Sequence, residues 1–160
     1  MVPGKRRVGE TAEDPEQLRA LRAAVENGAP DGAAAVYLYG SEARGRRTVL
    51  SDLDIAVLFA DGVSEEERWE ELPAFGSAVA RALHESRGER VEVDVHDLEA
   101  LPLAVQGRVL TEGTLLLSRV AERRVRFEER TRRRYFDFLP FQRADTVEGL
   151  EGLRERLTDG

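Results

Sequence analysis

The stretch Val36-Tyr37-Leu38-Tyr39-Gly40-Ser41-Glu42-Ala43-Arg44-Gly45-Arg46-Arg47-Thr48-Val49-Leu50-Ser51-Asp52-Leu53-Asp54-Ile55-Ala56-Val57-Leu58-Phe59 sets two apolar runs around a glycine-rich, basic connection. Each run is short and rich in β-branched and aromatic residues, the composition of a buried strand. The first run ends on Gly40-Ser41. Gly40 has no Cβ to obstruct a backbone approaching an anion, Ser41 offers a hydroxyl, and a helix opening near Glu42 would aim free N–H groups at a phosphate. The second run opens on Asp52-Leu53-Asp54. Residues two apart on a strand share a face, so both carboxylates point one way while Leu53 and Ile55 point into a core. Carboxylates held side by side repel; a shared divalent cation removes that penalty, and carboxylate oxygen suits hard Mg²⁺. The pattern predicts a phosphate cradle beside a metal-binding acid pair.

Mg²⁺ takes one or two protein carboxylates plus substrate phosphates, and a two-metal phosphoryl-transfer site draws a third acid from elsewhere. The alternating run Val91-Glu92-Val93-Asp94-Val95-His96 predicts a half-buried strand with Glu92, Asp94 and His96 on one face. Asp94, central in that run, is the expected third acid, with Glu92 as the fallback. The residues between Asp54 and Asp94 suffice for a strand end, a helix and a return strand, so the two polar faces can adjoin in one sheet.

Gly-Ser-x-Ala-Arg-Gly followed by Ser-Asp-x-Asp-Ile-x-Val resembles the minimal nucleotidyltransferase (MNT) branch of the DNA polymerase β-like nucleotidyltransferase superfamily. Downstream, Val93-Asp94-Val95-His96-Asp97-Leu98, Arg108 to Leu116 and Tyr135-Phe136-Asp137-Phe138 resemble MntA-type antitoxins of HEPN/MNT toxin–antitoxin pairs. The resemblance spans roughly residues 33 to 141. It implies transfer of AMP from ATP to a tyrosine of a partner HEPN toxin, silencing it. Asp52, Asp54 and Asp94 would be the catalytic metal ligands for two Mg²⁺ ions, with Gly40 and Ser41 gripping the β- and γ-phosphates. Arg44 is a further candidate for the nucleotide phosphates. The chain departs from the family pattern at Glu42 and at His96, two positions that are commonly apolar there.

With 160 residues and 41% hydrophobic content, one domain with a core of ordinary size is expected. There is no cysteine, which rules out disulfides, thiolate zinc sites and a cysteine nucleophile. No apolar run approaches the length of a membrane span and the N-terminus lacks the apolar core of a signal peptide, so a cytoplasmic protein is expected. A net charge of −7 argues against general nucleic-acid binding. The charge is unevenly spread: residues 119–143 carry nine arginines and four acids, +5 against −12 for the remainder. Gly-x4-Gly-Lys-Ser/Thr is absent, which excludes a P-loop.

Residues 1–12 read as a flexible lead-in, 13–143 as the nucleotidyltransferase domain including an amphipathic C-terminal helix, and 144–160 as a tail. Within the domain the expected order is a helix opening at Asp14-Pro15 and stopping at Gly28, strands at 34–39 and 53–59, and a helix capped at Ser64. Pro73 either kinks that helix or marks its beginning. A strand at 91–96, a helix near 99–109, a strand at 114–117 and a last helix over 119–138, ended by Pro140, complete it. This predicts an α/β (α+β) fold with one mixed sheet and helices packed on it. Val120, Arg124, Phe127, Thr131, Tyr135 and Phe138 form one stripe of the last helix, which predicts packing on the body with the arginines outward. A partner surface is the competing reading of that helix, since Tyr135 to Phe141 holds four aromatics in seven residues. Two further functions remain open on the residues alone: transfer to RNA or a small molecule, and an antitoxin that only binds and covers its partner.

Overall fold

The computed structural model describes residues 15–40 and 52–158, with side chains described as far as Pro140. The elements run α1 (Pro15–Gly28), β1 (Ala33–Tyr39), β2 (Leu53–Phe59), α2 (Glu65–Arg87), β3 (Val93–Asp97), a 3-10 turn at Leu98–Ala100, α3 (Leu103–Glu112), β4 (Thr114–Ser118) and α4 (Ala121–Thr158). Four strands form one mixed sheet in the order β3-β2-β1-β4. β1 is antiparallel to both β2 and β4, whereas β2 and β3 are parallel and joined through α2. The lead-in at 1–12, Asp14, Ser41 and Arg44 lie outside the described residues.

Strand parity divides the side chains between two cores. Val36 and Leu38 of β1, with Leu53, Ile55, Val57 and Phe59 of β2, pack against Leu21 and Val25 of α1 and Phe75, Val79 and Leu83 of α2. On the opposite face Tyr37, Ala56 and Leu58 meet Leu98, Val109, Leu110 and Phe127, brought by the 3-10 turn, α3 and α4. A buried aliphatic or aromatic side chain contributes roughly 1.5–3 kcal/mol, so the parity of both central strands is strongly held.

Helix α2 begins as its sequence dictates. Ser64 is the N-cap, its hydroxyl accepting from the Glu67 N–H at 3.2 Å, and Glu65, Glu66 and Glu67 stand where the helix dipole favours negative charge. Pro73 lies inside this helix rather than at its start. The carbonyl it leaves without a donor belongs to Trp69, on the exposed side where water can serve it, while Phe75 and Val79 hold the other side to the sheet. The same argument corrects the end of α4. Pro140 does not stop that helix, which continues to Thr158, across the position where a tail was expected to begin. The carbonyl it orphans is that of exposed Phe136.

The expectation that the α4 arginines face outward holds only in part. Phe127 and Thr131 are buried and Tyr135 is half-buried, yet Arg123 is buried too, and Val120 and Phe138 are exposed. Arg123 donates to the Phe59 carbonyl at 3.2 Å and to Glu99 at 2.5 Å, and lies over the Phe127 ring. Arg68 of α2 meets Asp97 at 3.2 Å and covers the Phe59 ring. These arginines satisfy polar groups where β2 and β3 end, a task that a helical stripe of apolar residues does not reveal. Further along, the buried Tyr37 hydroxyl donates to Glu128 at 2.8 Å, and Arg124 pairs with the same carboxylate at 3.0 Å.

Two other boundaries shift. The third strand starts at Val93, leaving Glu92 before it, and Pro102 delays α3 to Leu103 because the residue before a proline is pushed toward extended backbone. α3 meets α4 closely at Gly107, where a Cβ would lie 2.1 Å from the Tyr135 ring. Gly107→Ala is therefore expected to destabilise the fold by about 1–3 kcal/mol, the ordinary cost of overpacking, and Gly107→Ala with Tyr135→Ala to recover part of it. Urea unfolding of the two variants checks this; a Gly107→Ala midpoint equal to wild type would contradict the packing described.

Candidate active site

The register of the sheet brings the site together. Tyr39 is paired with Asp54 across β1 and β2, and Asp54 with Asp94 across β2 and β3. Directly paired residues on neighbouring strands share a face, with strands about 4.8 Å apart. Tyr39, Asp54 and Asp94 thus form one row across the sheet, on the face opposite Leu53 and Ile55. Both of those are buried, as the Asp-x-Asp reading required. Asp52 precedes β2 and is exposed, Asp54 is half-buried, and Asp94 is exposed on the edge strand. His96 also faces outward, and its ring meets Tyr39 edge-on with centroids 6.3 Å apart. Glu92 lies before the strand, its carbonyl accepting from the Leu53 N–H, whereas Asp94 is within the strand and paired with Asp54.

Gly40 is needed here twice over. Its φ of +76° is the left-handed region that side chains rarely adopt, and a Cβ there would sit 2.6 Å from Asp54 Oδ2. The glycine of the motif therefore both turns the chain out of β1 and leaves room for the second acid of Asp-x-Asp. Ser41 and Arg44 continue the motif beyond the described residues.

The row is electrostatically tense. Partial burial, then the Asp94 charge, raises the Asp54 carboxyl above its ordinary value; Asp52 adds to this while His96 opposes it. Burial, then Asp54 and Asp94, pushes the Tyr39 hydroxyl up to about 12, so it stays protonated and is a donor at neutral pH. Among the described residues no three Asp, Glu, His or Cys side chains are gathered closely enough to enclose a metal ion by themselves. The donor set nonetheless fits a hard divalent cation carried in with phosphate, because such an ion needs only one or two carboxylates and relieves the repulsion at Asp54.

Beside the row a cleft opens between the end of β1 and α3, lined by Tyr39, Gly40, Val105, Arg108 and Glu112. The motif reading pointed to none of the α3 residues. Their signal was the helical spacing of Val105, Arg108 and Glu112, which sets them along one side of α3 while Val109 and Leu110 are buried in the core. Tyr39 was legible by parity with Tyr37, but its place beside two acids depended on strand order.

Residues 29–122 match the polymerase beta nucleotidyltransferase family. The chain belongs to this family. Over 81 residues it is 33% identical to the protein adenylyltransferase MntA of Shewanella oneidensis, a match covering 51% of each protein, so the chain spans about half the length of that curated relative. A crystal structure of a toxin–antitoxin with AMP-PNP shares the fold at 24% identity and a TM-score of 0.56, over 83% of this chain and 98% of the other. The fold is also shared, at 22% identity, a TM-score of 0.57 and the same coverage, with a structure of a tri-AMPylated Shewanella oneidensis HEPN toxin in complex with MNT antitoxin.

The sign of the Asp54 shift gives a test. Its carboxyl binds a proton more tightly in the folded chain than in the unfolded one, where the ordinary value is 3.8, so ionisation detracts from stability. Asp54's contribution is most favourable below 3.8 and is lost as pH rises through the raised folded value. Asp54→Asn is accordingly expected to raise Tm at pH 7 in the absence of divalent cations, with the gain shrinking toward pH 4. Calorimetry in a chelating buffer measures this, and an unchanged or lowered Tm at pH 7 would count against the acid row.

Proposed function

We propose that this chain is a Mg²⁺-dependent adenylyltransferase that moves AMP from ATP onto a hydroxyl, most simply a tyrosine, of a partner HEPN toxin and thereby acts as an antitoxin. The observation that carries the reading is the in-register row of Tyr39, Asp54 and Asp94 next to left-handed Gly40. Support for the donor and acceptor comes from the relatives: one is a protein adenylyltransferase, and the fold is shared with antitoxins described with AMP-PNP and with an AMPylated HEPN toxin.

In this reading Asp52, Asp54 and Asp94 hold the metal ions. Mg²⁺ held there would supply positive charge to neutralise the triphosphate and the departing pyrophosphate. Gly40 lets the main chain approach the β- and γ-phosphates, and Ser41 and Arg44 complete that grip. Asp94, on the edge strand and open to solvent, orients the incoming hydroxyl and accepts its proton. The hydroxyl oxygen bonds to the α-phosphorus as the bond to pyrophosphate breaks. Tyr39 and His96, in edge-on contact, flank the two acids. No described helix is long and apolar enough to cross a membrane, and the proposed place of action is the cytoplasm, where ATP is held.

Incubation of the partner toxin with this protein, α-labelled ATP and Mg²⁺ tests the reading. The toxin is expected to gain label and a mass of one AMP per modified hydroxyl. Asp52→Asn with Asp54→Asn is expected to lower the rate at least about a thousandfold while leaving the complex intact. Full protection from the toxin by the double variant, with no mass gain from wild type, would instead support silencing by sequestration.

A further inference from the structure

The cleft beside the acid row contains a cation that the motif does not account for. Arg108 stands on the exposed side of α3, lines this cleft and makes no hydrogen bond or ion pair with any described residue. Its helix is firmly seated. Val109 and Leu110 are buried against the sheet, and Gln106 donates to the Leu101 carbonyl at 2.9 Å, fixing the turn that leads into α3. Arg108 is thus presented from a rigid support toward a cleft that it shares with Val105 and Glu112 of its own helix, Glu112 being already engaged, and whose other wall is Tyr39 and Gly40.

Gly40 belongs to the acid row and to the cleft alike, since Asp54 occupies the space of its missing Cβ and its backbone lines the cleft. A ligand spanning both would meet acids on β2 and β3 at one end and the Arg108 guanidinium at the other. The acid end asks for metal. The Gly40 and Arg108 end asks for an anion, because a bare backbone and a planar fork of N–H donors are what phosphate oxygens bind well.

We infer that Arg108 binds the polyphosphate end of the nucleoside triphosphate, closing over Gly40 from α3. This rests on the adenylyltransferase reading above and adds to it a residue outside the Gly-Ser and Asp-x-Asp motifs. In the transfer reaction the same guanidinium holds the pyrophosphate as it leaves. The cost of its removal falls on nucleotide binding and not on the acceptor protein.

Calorimetric titration of the full chain with Mg–ATP and with Mg–tripolyphosphate, which has no nucleoside, tests the assignment. Loss of a charge-assisted contact corresponds to at least about a tenfold loss of affinity. Arg108→Ala is expected to weaken both ligands by that factor, Arg108→Lys to recover part of it, and Arg81→Ala on the far side of the sheet to match wild type. Arg108→Ala binding Mg–ATP as tightly as wild type would overturn the inference. So would a loss confined to Mg–ATP, which would move Arg108 to the nucleoside. Wild type failing to bind Mg–ATP at all would overturn the adenylyltransferase reading itself, an outcome distinct from either.

Discussion

Two carboxylates set side by side on neighbouring parallel strands are an unfavourable arrangement, and the rest of the structure is what keeps Asp54 and Asp94 in it. Each is fixed by its neighbours in sequence. Leu53 and Ile55 are buried on either side of Asp54, and Val93 and Val95 flank Asp94 on the packed face of β3. A one-residue slip of β3 would turn Val93 and Val95 into water, and a slip of β2 would drive Asp54 into the core in place of Leu53 and Ile55; either costs far more than the repulsion between two partly solvated acids. Gly76 of α2 contributes by proximity: a Cβ there would lie 3.1 Å from the Val93 carbonyl and from Val95, so its absence lets the helix settle against the edge strand.

Two helices pack on each face, but on the face of the site they meet β1 and stand away from the edge strand β3, and this leaves the site open. α2 packs against β3 on one face, while α3 and α4 meet β1 on the other. Asp94 and His96 therefore remain exposed where a substrate can reach them, and α3 borders the row only at the end of β1. The position of α4 is held by buried polar contacts as much as by apolar ones. Arg123 ties it to Glu99 and the end of β2, and Glu128 to Tyr37 of β1. Such groups lose more if one partner is removed than the pair contributes on balance, which makes them effective in fixing one arrangement.

Much of this was legible in the sequence because strand parity is a local property. The Asp-x-Asp face, the buried Leu53 and Ile55, the Ser64 cap and the outward face of Asp94 and His96 all follow from alternation or capping chemistry. Strand order does not. Tyr39 reaches the acid row through the pairing of β1 with β2, a contact between separate segments, and Arg108 reaches the cleft because α3 folds back over β1. The two prolines, one left open between a helix interior and a helix start and the other misread as a stop, share a cause. Pro73 and Pro140 each orphan one carbonyl, and whether a helix survives that depends on exposure of the carbonyl and on packing elsewhere along the helix. The buried Arg123 went unseen for a related reason, since its acceptors come from the ends of β2 and the 3-10 turn rather than from its own helix.

The central claim is that Asp54 and Asp94 together form a seat for a divalent cation. Electron paramagnetic resonance of free Mn²⁺, titrated into the protein with a non-hydrolysable ATP analogue, tests it directly. Wild type is expected to take up Mn²⁺ with the nucleotide, and Asp54→Asn with Asp94→Asn to bind it at least about tenfold more weakly. Equal uptake by the two proteins would contradict the account.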